Sequence, residues 1–208
     1  DGEGWINASD LSTTDNRIES VQKVLNEKYN NQERISVYVK QLDTDRVAAI
    51  NDEKSMYAAS VAKLGVLYYA QERLSQKKLS LSDEYQYTSA VNGFPGAYDP
   101  DGSGKISKMP DDKNYSLENL LKAVAQNSDN VATNILGYYV TNQYDKAFQK
   151  SVDKAAATSW NMDKKELTAR AAGTLMEAVY RQNGDIINYL SSTDYHGERI
   201  SKNIDVPV

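Results

Sequence analysis

Tyr57-Ala58-Ala59-Ser60-Val61-Ala62-Lys63-Leu64-Gly65-Val66-Leu67-Tyr68 is the stretch on which the fold of this chain turns. From Ser60 to Gln76 the apolar residues Val61, Leu64, Val66, Leu67, Tyr68 and Leu74 fall nearly all round a helix, which predicts a central, buried helix. Its first turn carries a hydroxyl and an amine at i and i+3, on one face, so the Lys63 amine can approach the Ser60 hydroxyl. A serine at a helix N-terminus meets the positive end of the dipole and free backbone N–H groups, both of which favour a developing oxyanion. A desolvated lysine near other cations loses its proton more easily and can serve as a base. The plainer reading of S-x-x-K is a capping serine followed by a solvated lysine.

Working outward, Asn16 to Tyr29 reads as a first helix, capped by Thr14 or Asp15, with Ile18, Val21, Val24, Leu25 and Tyr29 on one face. Arg34 to Leu42 alternates, with Ile35, Val37 and Val39 on one side. Asp43-Thr44-Asp45 turns the chain, and Arg46 to Asn51 returns as the second strand of an antiparallel hairpin. Glycine and proline concentrate between Asn92 and Pro110, which predicts a long irregular loop. Ser116 caps a helix through Leu117, Leu120, Leu121 and Val124. Further helices are expected over Val131–Val140, Asp145–Ala157, Thr168–Arg181 and Asp185–Leu190, and Ile204–Val208 reads as a strand being entered.

Composition narrows the function classes. The chain's 208 residues suit one large domain, and 40% hydrophobic content supports a real core rather than disorder. A net charge of −5 argues against a nucleic-acid partner, whose binding leans on dense Lys and Arg. No run approaches the ~18 consecutive apolar residues that a membrane span requires. The opening Asp1-Gly2-Glu3 does not read as a signal peptide. With no cysteine and a single histidine, disulfide scaffolds, thiol nucleophiles and zinc fingers drop out together, and no cofactor or metal is expected. Fifteen tyrosines against two phenylalanines and two tryptophans suit a polar, groove-bearing surface.

Sixty-eight residues after Ser60 comes Ser128-Asp129-Asn130, at the end of one expected helix and just before the next. Alone, S-D-N is a capping turn. Together and in this order, the two motifs resemble the serine β-lactamase and penicillin-binding protein superfamily, closest to its class A branch. The turn Thr168-Ala169-Arg170-Ala171-Ala172, in the place of the helix start after the family's Ω-loop, adds to the likeness. The resemblance implies Ser60 as the acyl nucleophile, with its backbone N–H as one oxyanion donor, and Lys63 as the base or a relay for it. Ser128 would pass a proton toward the leaving nitrogen, and Asn130 would hold Lys63 and the substrate amide. Asp129 ties the loop together. The loop between Asn92 and Pro110 would border the substrate groove, which Phe94, Tyr98 or Met109 would line.

Two departures stand beside the matches. No K-[TS]-G occurs; in the family that strand follows a segment like Asn203–Val208, so the chain is expected to stop short of it and of the second oxyanion N–H it brings. Losing one such donor costs ~10²–10³ in rate. No E-x-x-L-N occurs either, and Glu166 reads as a first-turn acid complementing a helix dipole rather than as the base that activates water. Deacylation is therefore expected to be slow.

Three smaller signals complete the reading. Asp99-Pro100-Asp101-Gly102-Ser103-Gly104-Lys105-Ile106 matches the opening of a calcium-binding EF-hand loop, but its twelfth position is Pro110, and an Asp/Gly turn cluster is the expectation. His196 lies in a polar turn with no G-x-S-x-G elbow around any serine, so no Ser-His-Asp triad is read. Gly4-Trp5-Ile6-Asn7-Ala8-Ser9-Asp10-Leu11 resembles the closing strand and turn of a bacterial SH3-like module, or else is an N-terminal arm. The expected organisation is therefore a remnant over 1–12 and a β-lactamase-like domain over 13–208 lacking its C-terminal strands. The fold class is α/β: a small antiparallel sheet, incomplete here, with the first helix on it, joined to an all-helical half. The expected function is a slowly deacylating serine hydrolase or acyltransferase acting on β-lactams or on D-alanyl peptides of the peptidoglycan stem. It would be extracellular, at the cell surface or associated with a Gram-positive-type wall. The rival is an inactive wall- or partner-binding module that keeps the fold.

Overall fold

The computed structural model describes residues 15–194; Gly4–Leu11, His196 and Ile204–Val208, and the readings made on them, lie outside the described residues. The chain divides after Asp52 into two compact units.

The first unit holds helix α1 (Arg17–Tyr29) and strands β1 (Val37–Lys40) and β2 (Val47–Ile50). The strands pair antiparallel, Val37 opposite Ile50 and Lys40 opposite Val47. Asn16 occupies the cap position of α1, while the Asp15 carboxylate accepts the Arg17 N–H at 3.1 Å and so does the capping. Ile18 and Leu25 bury against Ala48, with Val21, Tyr29 and Val37 around them. Val24 and Val39, expected inward, are exposed, because a helix and two short strands bury only a narrow stripe. Gln22 joins helix to sheet: its amide donates to the Ala49 carbonyl at 3.0 Å and accepts the Ala49 N–H at 2.8 Å, satisfying the free side of β2 as a third strand would.

In the second unit, β3 (Met56–Tyr57) leads through a 3-10 turn (Ala59–Lys63) into α2 (Leu64–Ser75). The expected helix start at Ser60 is therefore a tighter turn, with the α-helix beginning four residues later. Helix α2 is central and, among the described residues, touches every other α-helix of this unit: α3 (Leu117–Asn127), α4 (Asn130–Tyr139), α5 (Lys146–Ala156), α6 (Ala169–Gln182) and α7 (Asp185–Leu190). Val66, Leu67, Tyr69 and Ala70 of α2 meet Leu120, Leu121, Ile135, Leu136, Phe148, Leu175 and Ile186 in one core. Each fully buried aliphatic or aromatic side chain there contributes about 1.5–3 kcal/mol. Trp160 is fully buried beside α2, and its indole N–H donates to the Ala62 carbonyl at 3.2 Å. A Cβ at Gly65 would lie 2.7 Å from that indole nitrogen, so only glycine lets the ring in.

The helices start where the side chains say they should. Ser116 accepts the Asn119 N–H, Asp129 that of Ala132, Asp145 those of Ala147 and Phe148, and Thr168 that of Ala171. Each such cap is worth about 1 kcal/mol. Two short pairings were not expected: β3 with β6 (Glu166–Leu167), and β4 (Glu84–Gln86) with β5 (Asn114–Ser116), both antiparallel. The first corrects the reading of Glu166. It is not in the first turn of α6; it is exposed, in a strand, directly opposite Tyr57. The unit is thus helix-rich with small antiparallel sheets. No helix among the described residues is long and apolar enough to cross a membrane.

Candidate active site

Ser60 is exposed at the second position of the 3-10 turn, and Lys63 closes the same turn. Lys63 is only 3% exposed, which overturns the plainer reading of a solvated lysine. Its Nζ donates to the Ser128 carbonyl at 2.6 Å, to Asn130 Oδ1 at 2.6 Å and to Ser128 Oγ at 3.1 Å. Three acceptors match the three donors of an ammonium group. Burial nonetheless pushes the amine down to about 8; the Asp129 carboxylate pulls it up and the Lys165 charge pushes it further down. An amine that titrates near neutrality is suited to both accepting and returning a proton.

The S-D-N triplet is placed by helix chemistry. Ser128 ends α3 in the left-handed conformation, φ +53°, and Asp129 caps α4. Asp129 is fully buried; besides capping α4, it accepts the N–H groups of Lys105 (2.6 Å) and Ile106 (2.9 Å). It ties the loop down, as expected. Asn130 faces both ways, accepting from Lys63 and donating to the Asp99 carbonyl at 2.7 Å. A second left-handed residue, Ala59 with φ +46°, immediately precedes Ser60. Such non-glycine conformations cost about 1–3 kcal/mol each and collect at functional sites.

The long loop is the frame between the two motifs, with no helix or strand from 93 to 113. Gly104 has φ +126°, and a Cβ there would lie 2.3 Å from the Asp129 carboxylate, so the loop can settle on Asp129 only through glycine. Asp99 Oδ1 accepts the Asp101 N–H, and the Gly102 N–H returns to the Asp99 carbonyl, in the manner of an ordinary Asx turn. Among the described residues no cluster of three or more His, Cys, Asp or Glu is placed to hold a metal ion.

Tyr98 is buried rather than open to a groove. Its hydroxyl donates to the Ala59 carbonyl at 3.2 Å, and its ring lies 4.6 Å from the Lys63 ammonium. Burial raises its phenol well above the usual range, so it stays a donor. Phe94 is not groove-lining either; it is buried, with its ring against those of Tyr138 and Tyr144. Met109 is 77% exposed and Tyr57 72%.

Two residues of this site were not read from the sequence. Asn134, one turn after Asn130 and fully buried, clamps the Tyr98 backbone by accepting its N–H (2.7 Å) and donating to its carbonyl (2.8 Å). An asparagine recurring at i+4 on a mostly apolar helix is the signal that could have found it. Lys165 donates to the Gly96 carbonyl at 3.0 Å and sits 4.4 Å from the Tyr98 ring, a placement set by distant pairing that leaves no local trace.

The arrangement gathers a buried amine of lowered proton affinity, a hydroxyl and an amide bonded to it, and the exposed Ser60 hydroxyl in the same 3-10 turn as that amine. The fold resembles a mutant of PBP-A in its acyl-enzyme complex with penicillin G, at 14% identity and a TM-score of 0.68, covering 86% of this chain and 71% of that one. It also resembles a β-lactamase from Chitinophaga pinensis (16%, TM-score 0.67, covering 90% and 75%). A D-alanyl-D-alanine carboxypeptidase from Francisella tularensis is more distant (16%, TM-score 0.59, covering 76% and 42%). Comparison with curated proteins gives no match. The profile of the beta-lactamase enzyme family matches residues 16–208. With nearly the whole chain inside that match and both motifs meeting at Lys63, the chain belongs to the beta-lactamase enzyme family.

Proposed function

We propose that the protein forms an acyl-enzyme at Ser60 with β-lactams or D-alanyl peptides and releases it slowly. Ser60 Oγ attacks the carbonyl carbon as its proton passes to the neutral Lys63 amine. The C–N bond then breaks, and the leaving nitrogen takes a proton relayed from Lys63 through Ser128 Oγ. The observation that carries this reading is the set of hydrogen bonds from Lys63 Nζ to Ser128 Oγ and Asn130 Oδ1, which is the path such a relay needs. The penicillin G complex of the PBP-A mutant and the carboxypeptidase named above support the substrate class. Slow release follows from the lack of an E-x-x-L-N segment and from the placement of Glu166 on a strand opposite Tyr57.

Such substrates lie outside the cell membrane, so this reading carries an extracellular location, at the cell surface or associated with the wall. A fluorescent penicillin tests the reading. Covalent labelling that Ser60→Ala abolishes is expected; absence of labelling in the full-length protein would favour a binding module that keeps the fold without turnover.

A further inference from the structure

Beside the amine of Lys63 lies another cation that the proposed mechanism does not use. Lys165 precedes β6 in the left-handed conformation, φ +53°, and its carbonyl accepts the Ala58 N–H at 2.7 Å. Together with the pairing of Met56 with Leu167 and Tyr57 with Glu166, this bond fastens Lys165 to the strand that leads into the Ser60 turn. Its side chain is turned in rather than out. The ammonium donates to the Gly96 carbonyl at 3.0 Å and lies 4.4 Å from the centroid of the Tyr98 ring, the same ring that carries Lys63 at 4.6 Å. One aromatic ring therefore holds two ammonium groups from elements about a hundred residues apart in the chain, and a ring quadrupole attracts each cation without cancelling the repulsion between them.

We infer that Lys165 is a positioning residue of this site, whose charge beside Lys63 disfavours a second full charge there and so keeps the Lys63 amine available to take the Ser60 proton. The inference rests on the proposed acyl chemistry for its purpose, but its physical content, charge coupling between two lysines, can be measured without any substrate. Among the described residues few titratable groups face Lys63. Asp129 at the start of α4 stabilises its charge, Lys165 opposes it, and the Tyr98 phenol is held neutral by burial. Burial pushes the Lys165 amine below the usual lysine range, and the Asp163 carboxylate opposes that shift.

The test separates charge from scaffolding. Lys165→Gln keeps an N–H donor for the Gly96 carbonyl and removes the charge; Lys165→Arg keeps the charge. In full-length protein with ¹³C-labelled lysine, the Lys63 signal, assigned by its loss in Lys63→Arg, is followed against pH. The Lys63 midpoint is expected to rise by about half a unit in Lys165→Gln, which leaves about threefold less neutral amine at pH 7, and to stay near the parent value in Lys165→Arg. The pH profile of labelling by a fluorescent penicillin should move by the same amount. A midpoint unmoved in Lys165→Gln, or moved equally in Lys165→Arg, overturns the inference. A midpoint that moves in a protein never labelled by penicillin leaves the coupling standing and sinks the acyl chemistry instead.

Discussion

Lys63 Nζ lies 2.6 Å from Asn130 Oδ1, across 67 residues of chain, and both side chains are buried. The amide that accepts from Lys63 also donates to the Asp99 carbonyl, so one side chain holds the amine and the loop in register. Asn130→Ala removes one of three acceptors from a buried ammonium and one of the two donors to the Asp99 carbonyl, which keeps the Gly102 N–H. A loss of about 1–3 kcal/mol in urea unfolding is expected, most of it from the buried ammonium that loses an acceptor. Labelling by a fluorescent penicillin should slow by about tenfold or more, because the amine is no longer held at its working distance.

The Lys63 amine gives the labelling rate a direction with pH. Only the neutral amine accepts the Ser60 proton, so acylation should rise with pH through a midpoint of about 8. The same group makes stability depend on pH. Its proton is lost at about 8 in the folded chain but held to 10.5 when unfolded, so the unfolded state binds more protons in that window and stability rises across it. Subtracting the unfolding curves of Lys63→Met from those of the parent at successive pH values isolates this slope; a flat difference would count against a buried, depressed amine.

Gly104 is the hinge point of the loop on Asp129. An alanine there must adopt φ +126° with its Cβ 2.3 Å from a buried carboxylate, so the loop has to lift. We expect Gly104→Ala to cost about 2–4 kcal/mol in denaturant unfolding, in the upper range for single substitutions. Protection of the Lys105 and Ile106 amides from hydrogen exchange should fall with it, since both are bonded to Asp129.

Glu166 is the acid nearest in sequence to the place of the missing base. On an exposed strand opposite Tyr57 it is not expected to activate water. In a chase with unlabelled penicillin, Glu166→Gln should leave the lifetime of the labelled protein within about twofold of the parent, well under the 10²-fold loss that removing a general base entails. A much longer lifetime in the variant would assign the base to Glu166.

The parts of the structure legible in the sequence are those with local causes. Ser116, Asp129, Asp145 and Thr168 announce their helices by the N–H groups they accept, and the spacing of Ser60 and Lys63 needs only the pitch of a turn. The strands β3, β4, β5 and β6 are two or three residues long, too short for an alternation of any period to register, and they exist because distant partners meet. Burial of Lys63 has the same origin. S-x-x-K places its amine on the face of Ser60, but the acceptors that make its burial tolerable come from Ser128 and Asn130. Phe94 and Tyr98 could be assigned to the loop but not oriented within it, because Tyr98 is held by Asn134 and Phe94 by the rings of Tyr138 and Tyr144.

Trp160 gives the molecule a built-in optical gauge. Its indole is sealed from water and bonded to the Ala62 carbonyl, two residues beyond the exposed hydroxyl, while the chain's other tryptophan, Trp5, stands far off in sequence. Emission from this ring therefore senses the backbone of the turn that carries Ser60, so strain or loosening there when the hydroxyl is derivatised can be followed by fluorescence without attaching a dye.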